Sequence, residues 1–432
     1  MDTPQRDEYA GPRALRAMQE LAQREFEGAG RWHVGDLAWS WCLALGREDQ
    51  RPTAVWRRDG RAVAWGWLEL PERRLMAQVA RDEETLADEV IAWAERAAGA
   101  PVRVDVAESE PHLRAALERR GYAAEDDEPF TVRMERSLDP RVEGDERNEG
   151  DVPGVPEGIS VRALRGEDAR ERESRAEVHR AAFGGGWCTG ERYGRLREVW
   201  PYRGEFDVVA VDGAGTVVAF CQGWYDEANR TGLFEPVATR PGHQRRGLAR
   251  AVCGAVLRAF AAAGARRAVV GARGDDGYPV PRQVYGALGF TPFTRTHAYR
   301  PHEVRLGVYG TGAEVEGLAE RARGLVRSGT VDLVRGADVE ERYEDLAEQW
   351  VIEHPGQRPS ADRGLAEVRV TVTLPGTDGT DGTDGTDGTD GTDGTDGTGG
   401  LGGIGVLKDA LCRLVCPEPE HDGPCAMPWA VS

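Results

Sequence analysis

The 432 residues, 30% charged and 40% hydrophobic with twelve tryptophans, ask for two or three globular domains and exclude a largely disordered chain. The formal net charge of −19 excludes a nucleic-acid-binding surface over most of the molecule. No apolar run is long enough for a bilayer, the N-terminal MDTPQRDEYAGPRA lacks a signal peptide's apolar core, and seven cysteines, three of them at the far C-terminus, do not form a secreted disulfide framework, so a reducing cytoplasm is the expected setting.

In chain order, residues 10–138 read as one α/β block. A helical pattern from Ala14 to Phe26 leads to a hairpin, TAVWRRDG and RAVAWGWLEL, turning at Asp59-Gly60. Strand LMAQVA, helix LADEVIAWAERAAG, strand VRVDVA, helix HLRAALERRGY and strand FTVRMERSL follow. Residues 139–157, rich in charge, Gly and Pro, read as a linker. Residues 158–300 then repeat the order: strand ISVRAL, helical segments through Phe183 and Trp200, and a hairpin turning near Asp212-Gly213. Strand GLFEPVA, helix LARAVCGAVLRAFAAAG, strand RRAVVGA, helix PRQVYGALGF and strand FTRTHAY complete it. Helices alternating with strands and hairpins predict two α/β lobes with mixed sheets in tandem.

Residues 302–374 predict a small α/β module: strand EVRLGVYG, helix AEVEGLAERARGLV, strand TVDLV, helix VEERYEDLAEQWVIEH and strand AEVRVTVTL. Residues 375–403 hold the low-complexity TDG triplets, which carry nothing apolar to offset chain entropy and read as a linker. Residues 404–432 form a terminal helix, VLKDALCRLV, and a tail in which Cys412, Cys416, His421 and Cys425 match a structural zinc set in number and softness. The spacing C-x3-C-x4-H-x3-C is not one of the paired CxxC patterns, and an ordinary tail with reduced thiols is the rival reading. On the zinc reading, the metal pins a tail that buries few apolar groups.

The chemistry concentrates in EPVATRPGHQRRGLARAVCGAVLRAF, residues 235–260, where a strand enters a loop and an amphipathic helix leaves it. A helix N-terminus offers unpaired amides and partial positive charge to a pyrophosphate. Gly247 lets the backbone approach closely, Ala249 keeps the first turn uncluttered, and Arg245 and Arg246 add charge beside the anion.

The spacing Gln244-x-x-Gly247-x-Ala249 resembles the coenzyme A pyrophosphate loop of the GNAT N-acetyltransferase superfamily, and Tyr285-x-x-Leu288-Gly289-Phe290 resembles that family's penultimate helix and the turn leaving it. About 140 residues carry the resemblance. It implies acetyl-CoA as co-substrate, bound by Gln244, Arg245, Arg246, Gly247, Leu248 and Ala249, with a splayed strand at 233–239 whose amides near Val237, Ala238 and Thr239 hold the pantetheine arm. Where many members carry an Asn about seven residues before Tyr285, this chain has Tyr278. The implied reaction is transfer of an acyl group to the primary amine of a small molecule or peptide, with no nucleic acid or membrane partner. Such chemistry needs a base for the ammonium, an acid for the departing thiolate and a stabilised oxyanion. Tyr285 is the natural acid, and Glu235 the base, with Asp226 and Glu227 as competitors. Cys221 and Cys188 invite a ping-pong thiol route, but no suitably placed His accompanies them.

Aligned on the repeat, the first lobe has RDEET in place of the phosphate loop, and Leu117 falls opposite Tyr285. Carboxylates at a helix start repel a pyrophosphate, so this lobe resembles a GNAT fold without catalysis, in the tandem arrangement of mycothiol-synthase-like proteins. The alternative is a non-catalytic acyl-CoA sensor that recruits a partner through the third module.

Overall fold

The computed structural model describes residues 4–9, 12–29, 31–125, 129–139, 155–326, 329–372, 401–416 and 427–432. Residues 140–154 of the expected linker and the whole TDG run lie outside them. The chain divides into a larger unit, Met1–Ile91, Val104–Arg114 and Glu125–Ala298, and a smaller one, Ala92–Arg103, Ala115–Ala124 and Tyr299–Ser432. Among the described residues no helix is long and apolar enough to cross a membrane.

The larger unit is layered α/β around a mixed sheet. From Arg74–Val79 the strand order runs Arg103–Ala107, Thr291–Thr311, Thr131–Ser137, Arg267–Arg273, Thr231–Thr239, Val217–Asp226, Asp207–Val211 and Ser160–Ala163. The closing strand of the first repeat, Thr131–Ser137, thus lies between Arg267–Arg273 and Thr291–Thr311 of the second, antiparallel to both. Thr291–Thr311 in turn adjoins Arg103–Ala107 of the first repeat. The repeats therefore exchange their closing strands, and residues of the first half arrive beside the central strands of the second.

Those central strands are apolar on both faces, as strands covered on both sides must be. Phe234 and Val270 pack with Leu248, Val252, Val256 and Phe260 of helix Leu248–Ala262 on one face. Leu233 and Val269 pack with Phe26, Trp39, Val178 and Trp224 on the other. The four-residue spacing of the helix positions places them in one stripe along its axis. Gly232 is required by that stripe, since a Cβ there would lie 2.3 Å from the Phe260 ring.

Apart from short 3-10 turns, four elements were not read from sequence: strands Gln5–Tyr9, Tyr122–Glu125 and Trp429–Val431, and helix Val34–Ala44. The helix escapes a periodicity reading because buried positions run around it (Val34, Gly35, Leu37, Ala38, Trp39, Cys42, Ala44), leaving no polar stripe.

In the smaller unit, strand Thr291–Thr311 continues from His302 to Thr311 against Arg363–Val372, which also pairs with Gly329–Val334. Two strands were expected here, and one forms; Pro301, which has no N–H for a ladder, falls just before the pairing with Arg363–Val372 begins. Helix Gly312–Leu325 starts with a Thr311/Glu314 capping box. VEERYEDLAEQWVIEH forms two helices, Ala337–Arg342 and Glu344–Glu353, broken at Tyr343. The Tyr343 ring covers Gly307, and its hydroxyl donates to Glu367 at 2.9 Å, so tertiary contacts override the helical pattern.

The described part of the tail docks through a strand and an apolar helix face. Trp429–Val431 pairs antiparallel with Leu306–Val308, Ser432 and Arg305 exchange backbone hydrogen bonds of 3.0 and 2.9 Å, and Leu411 enters the core with Val304, Leu306 and Val368. The premise that the tail lacks an anchor without zinc is thereby corrected: a strand and an apolar helix face supply one. Cys412 and Cys416 are buried on helix Leu401–Val415 and at its end, while His421 and Cys425 lie outside the described residues. Among the described residues no group of three His, Cys, Asp or Glu side chains is placed to hold a metal ion.

Candidate active site

Strand Thr231–Thr239 is antiparallel to Val217–Asp226 along its length, with an irregularity at Gln222. Its parallel pairing with Arg267–Arg273 covers only Thr231–Phe234, although both strands run further. Beyond Phe234 the two part company, while Arg267–Arg273 stays paired along its whole length with Thr131–Ser137 on its other edge. Residues Glu235 to Thr239 therefore keep one open edge. The Arg240 amide donates to Val218 at 2.8 Å, on the paired side. Alternation along a strand then turns the Val237 and Thr239 amides toward the open edge and that of Ala238 away from it.

The strand ends in a loop that turns into helix Leu248–Ala262. Gly242 (φ 85°), Arg245 (φ 60°) and Gly247 (φ 78°) all take left-handed backbone, where only glycine is free of strain. Left-handed residues set among right-handed ones turn successive amides to one concave side, an anion-binding arrangement. The helix has no acidic residue in its first turn and no side chain capping it. Leu248 is buried beneath the loop, Gly247 and Ala249 are half-buried, and Gln244, Arg245 and Arg246 are exposed. Arg246 reaches the His243 ring at 3.1 Å, and Arg240 is tied to Glu177 at 2.7 Å. The start of this helix is thus left open to an external anion.

The corresponding terminus of the first repeat is closed. A 3-10 turn, Arg81–Glu83, precedes helix Leu86–Ala98, whose first turn carries Asp88 and Glu89. Glu83 is gripped by Arg58, which holds its carboxyl below the usual range, and Glu89 accepts from the Trp56 indole at 2.8 Å. Leu117 is fully buried core.

Glu235 faces a cavity of about 420 Å³ in the larger unit, lined also by Trp39, Asp36, Arg133, Gly271 and Thr296. Burial and, secondarily, the charge of Asp36 push its carboxyl up to about 8, against the pull of Arg133. Tyr285, on helix Val280–Gly286, is 7% exposed among Phe234 and Phe290. Burial first, then Cys253, Cys221 and Glu235, raise its phenol well above 10. The phenol is therefore a weaker acid than a free tyrosine and keeps its proton throughout the neutral range.

The competitors serve other ends. Asp226 is buried and accepts from Gln23 at 2.5 Å, from Asn229 Nδ2 at 2.7 Å and from the Ala228 amide at 3.1 Å. Glu227 is exposed, 3.9 Å from Arg203. Burial raises the thiols of Cys221 and Cys188, so neither is poised as a thiolate. Tyr278 is half-exposed. Sequence reasoning missed Asp36 and Arg133, since they come from the first repeat and no local pattern marks them.

Fold and site together define an α/β protein built on a strand pair that parts beside an open helix N-terminus. Residues 176–290 match the model of the acetyltransferase (GNAT) family, and this stretch is a GNAT domain. No curated protein matches the chain. Among solved structures, a GCN5-related N-acetyltransferase from Sphaerobacter thermophilus is 20% identical, spanning 68% of this chain and 95% of its own, with a TM-score of 0.45. A tandem GNAT protein from the clavulanic acid biosynthesis pathway is 17% identical over 68% of this chain and 97% of its own, with a TM-score of 0.49. A GNAT-family acetyltransferase from Colwellia psychrerythraea is 10% identical over 68% and 99%, with a TM-score of 0.45.

Proposed function

We propose that the chain is a tandem GNAT protein that moves an acetyl group from acetyl-CoA to the primary amine of a small molecule or peptide by direct attack of the amine on the thioester. One observation carries the reading: Glu235, a carboxylate with no partner among the described residues, faces a cavity at the point where two parallel strands part.

The residues fit the co-substrate. The uncapped start of helix Leu248–Ala262, with Gln244, Arg245, Arg246, Gly247, Leu248 and Ala249, suits its pyrophosphate, and the open-edge amides of Val237 and Thr239 suit the amide groups of its pantetheine arm. Glu235, with a carboxyl near 8, takes the acceptor's proton within the range where a general base works best. Tyr285 retains its proton until a basic thiolate forms and then supplies it. The first repeat, whose helix terminus is closed by its own carboxylates, binds no second acetyl-CoA.

Incubating the protein with acetyl-CoA and a panel of antibiotics, polyamines, amino acids and peptides tests this. Thiol release that depends on an added amine is the expected result. Tight binding of acetyl-CoA with no turnover on any amine would overturn it in favour of a sensor.

A further inference from the structure

The exchanged strand brings one buried ion pair of the first half to the rim of the Glu235 cavity. Arg133, on strand Thr131–Ser137, donates through one terminal nitrogen to Asp36 Oδ1 at 3.2 Å. Through the other it reaches Asp36 Oδ2 and the Arg31 carbonyl, the latter at 2.9 Å. Both side chains are largely shielded, at 6% and 13% exposed.

Asp36 is also fixed relative to the Glu235 strand. Its carboxylate accepts from the His33 amide at 2.8 Å, and the His33 ring accepts from the Gly35 amide at 3.0 Å through Nδ1. Nε2 must then carry the proton and donate to the carbonyl of Thr231, 3.1 Å away, the first residue of strand Thr231–Thr239. Gly35 lets the helix seat closely, for a Cβ there would come within 2.4 Å of Trp224 on the neighbouring strand. The pair is therefore a rigid part of the site wall.

We propose that Asp36 and Arg133, which line the same cavity as Glu235, are positioning residues whose opposed charges ready Glu235 to take the acceptor's proton, so that the first half takes part in the reaction through this pair. The inference rests on reading Glu235 as the base. The other charges on the cavity wall are engaged elsewhere: Arg31 faces Glu110 at 3.7 Å, Arg74 lies between Glu69 at 3.4 Å and Asp105 at 3.8 Å, and Arg273 holds Asp275 at 2.5 Å. Tyr285 behind the strand stays neutral. Asp36 and Arg133 are accordingly the charges that act on Glu235 most directly, and they act in opposite senses.

Carbon-13 NMR titration of the Glu235 carboxyl in the full chain, assigned by its absence in Glu235→Gln, tests the pair without an acceptor. Asp36→Asn keeps an oxygen for the His33 amide but removes the like charge, and it lowers the Glu235 midpoint by about 1 pH unit. Arg133→Met removes the opposite charge and raises the midpoint by a similar amount, with Arg133→Gln standing in if the Met variant does not fold. Midpoints unmoved in both variants, or moved in the same direction, would overturn the inference. If the midpoints separate as expected but the pH profile of amine-dependent thiol release does not follow them, Glu235 is not the base, and the positioning role fails with that reading.

Discussion

Replacing Gly247 with glutamate perturbs the phosphate loop in two separable ways. The residue sits at φ 78° and ψ 1°, so any side chain there pays left-handed strain of about 1 kcal/mol. A carboxylate at the head of helix Leu248–Ala262 also meets the helix dipole favourably, which returns about 0.5 kcal/mol and leaves folding nearly unchanged. Against a bound pyrophosphate the same carboxylate is a like charge: about 4 kcal/mol at 4 Å and an effective dielectric of 20, reduced to about 2 kcal/mol by solvent and salt in a half-open loop. That is about a 30-fold rise in Kd. Gly247→Ala carries the strain without the charge and separates the two effects. Calorimetric titration with acetyl-CoA, beside thermal melts, should show Gly247→Glu folded and about 30-fold weaker, with Gly247→Ala within a few-fold of the parent. Equal affinity in the parent and a folded Gly247→Glu would refute the placement of the pyrophosphate at this helix.

Tyr285→Phe should lower turnover by about 10²–10⁴ while changing acetyl-CoA binding by about 1 kcal/mol; an unchanged rate would return Tyr285 to the aromatic core with Phe234 and Phe290. The raised carboxyl of Glu235 makes stability depend on pH. Between its ordinary value near 4.5 and its folded value near 8 the native state holds a proton that the unfolded chain has released, so stability falls as pH rises through that window. Glu235→Gln removes this loss and should melt higher than the parent at pH 9, with the gap closing toward pH 5; a gap independent of pH would count against a buried, raised carboxyl. Gly232→Ala should cost about 1–3 kcal/mol by forcing a methyl into the Phe260 ring, read as a lower Tm, and an unchanged Tm would mean the helix is less closely seated.

What could be read from sequence was local. The Gln244-to-Ala249 loop, the strand before it and the helix after it lie within one short stretch, so turn chemistry, a glycine and an apolar stripe expose them together. Tyr285 was legible for the same reason, though not the burial that weakens it as an acid. The exchange of Thr131–Ser137 into the second repeat was illegible, because a strand's pattern reports which faces are buried and not which neighbour it pairs with. Asp36 and Arg133 were invisible in consequence, being 97 residues apart and joined only through that exchange. The break at Tyr343 was missed because a helical pattern cannot foresee a ring pinned over Gly307.

The direct-attack claim meets its sharpest test in initial rates measured while acetyl-CoA and an active amine are both varied. Direct attack requires both substrates on the protein at once and predicts double-reciprocal lines that intersect. Parallel lines, the mark of an acyl group parked on a residue such as Cys221 or Cys188 before the amine arrives, would contradict it.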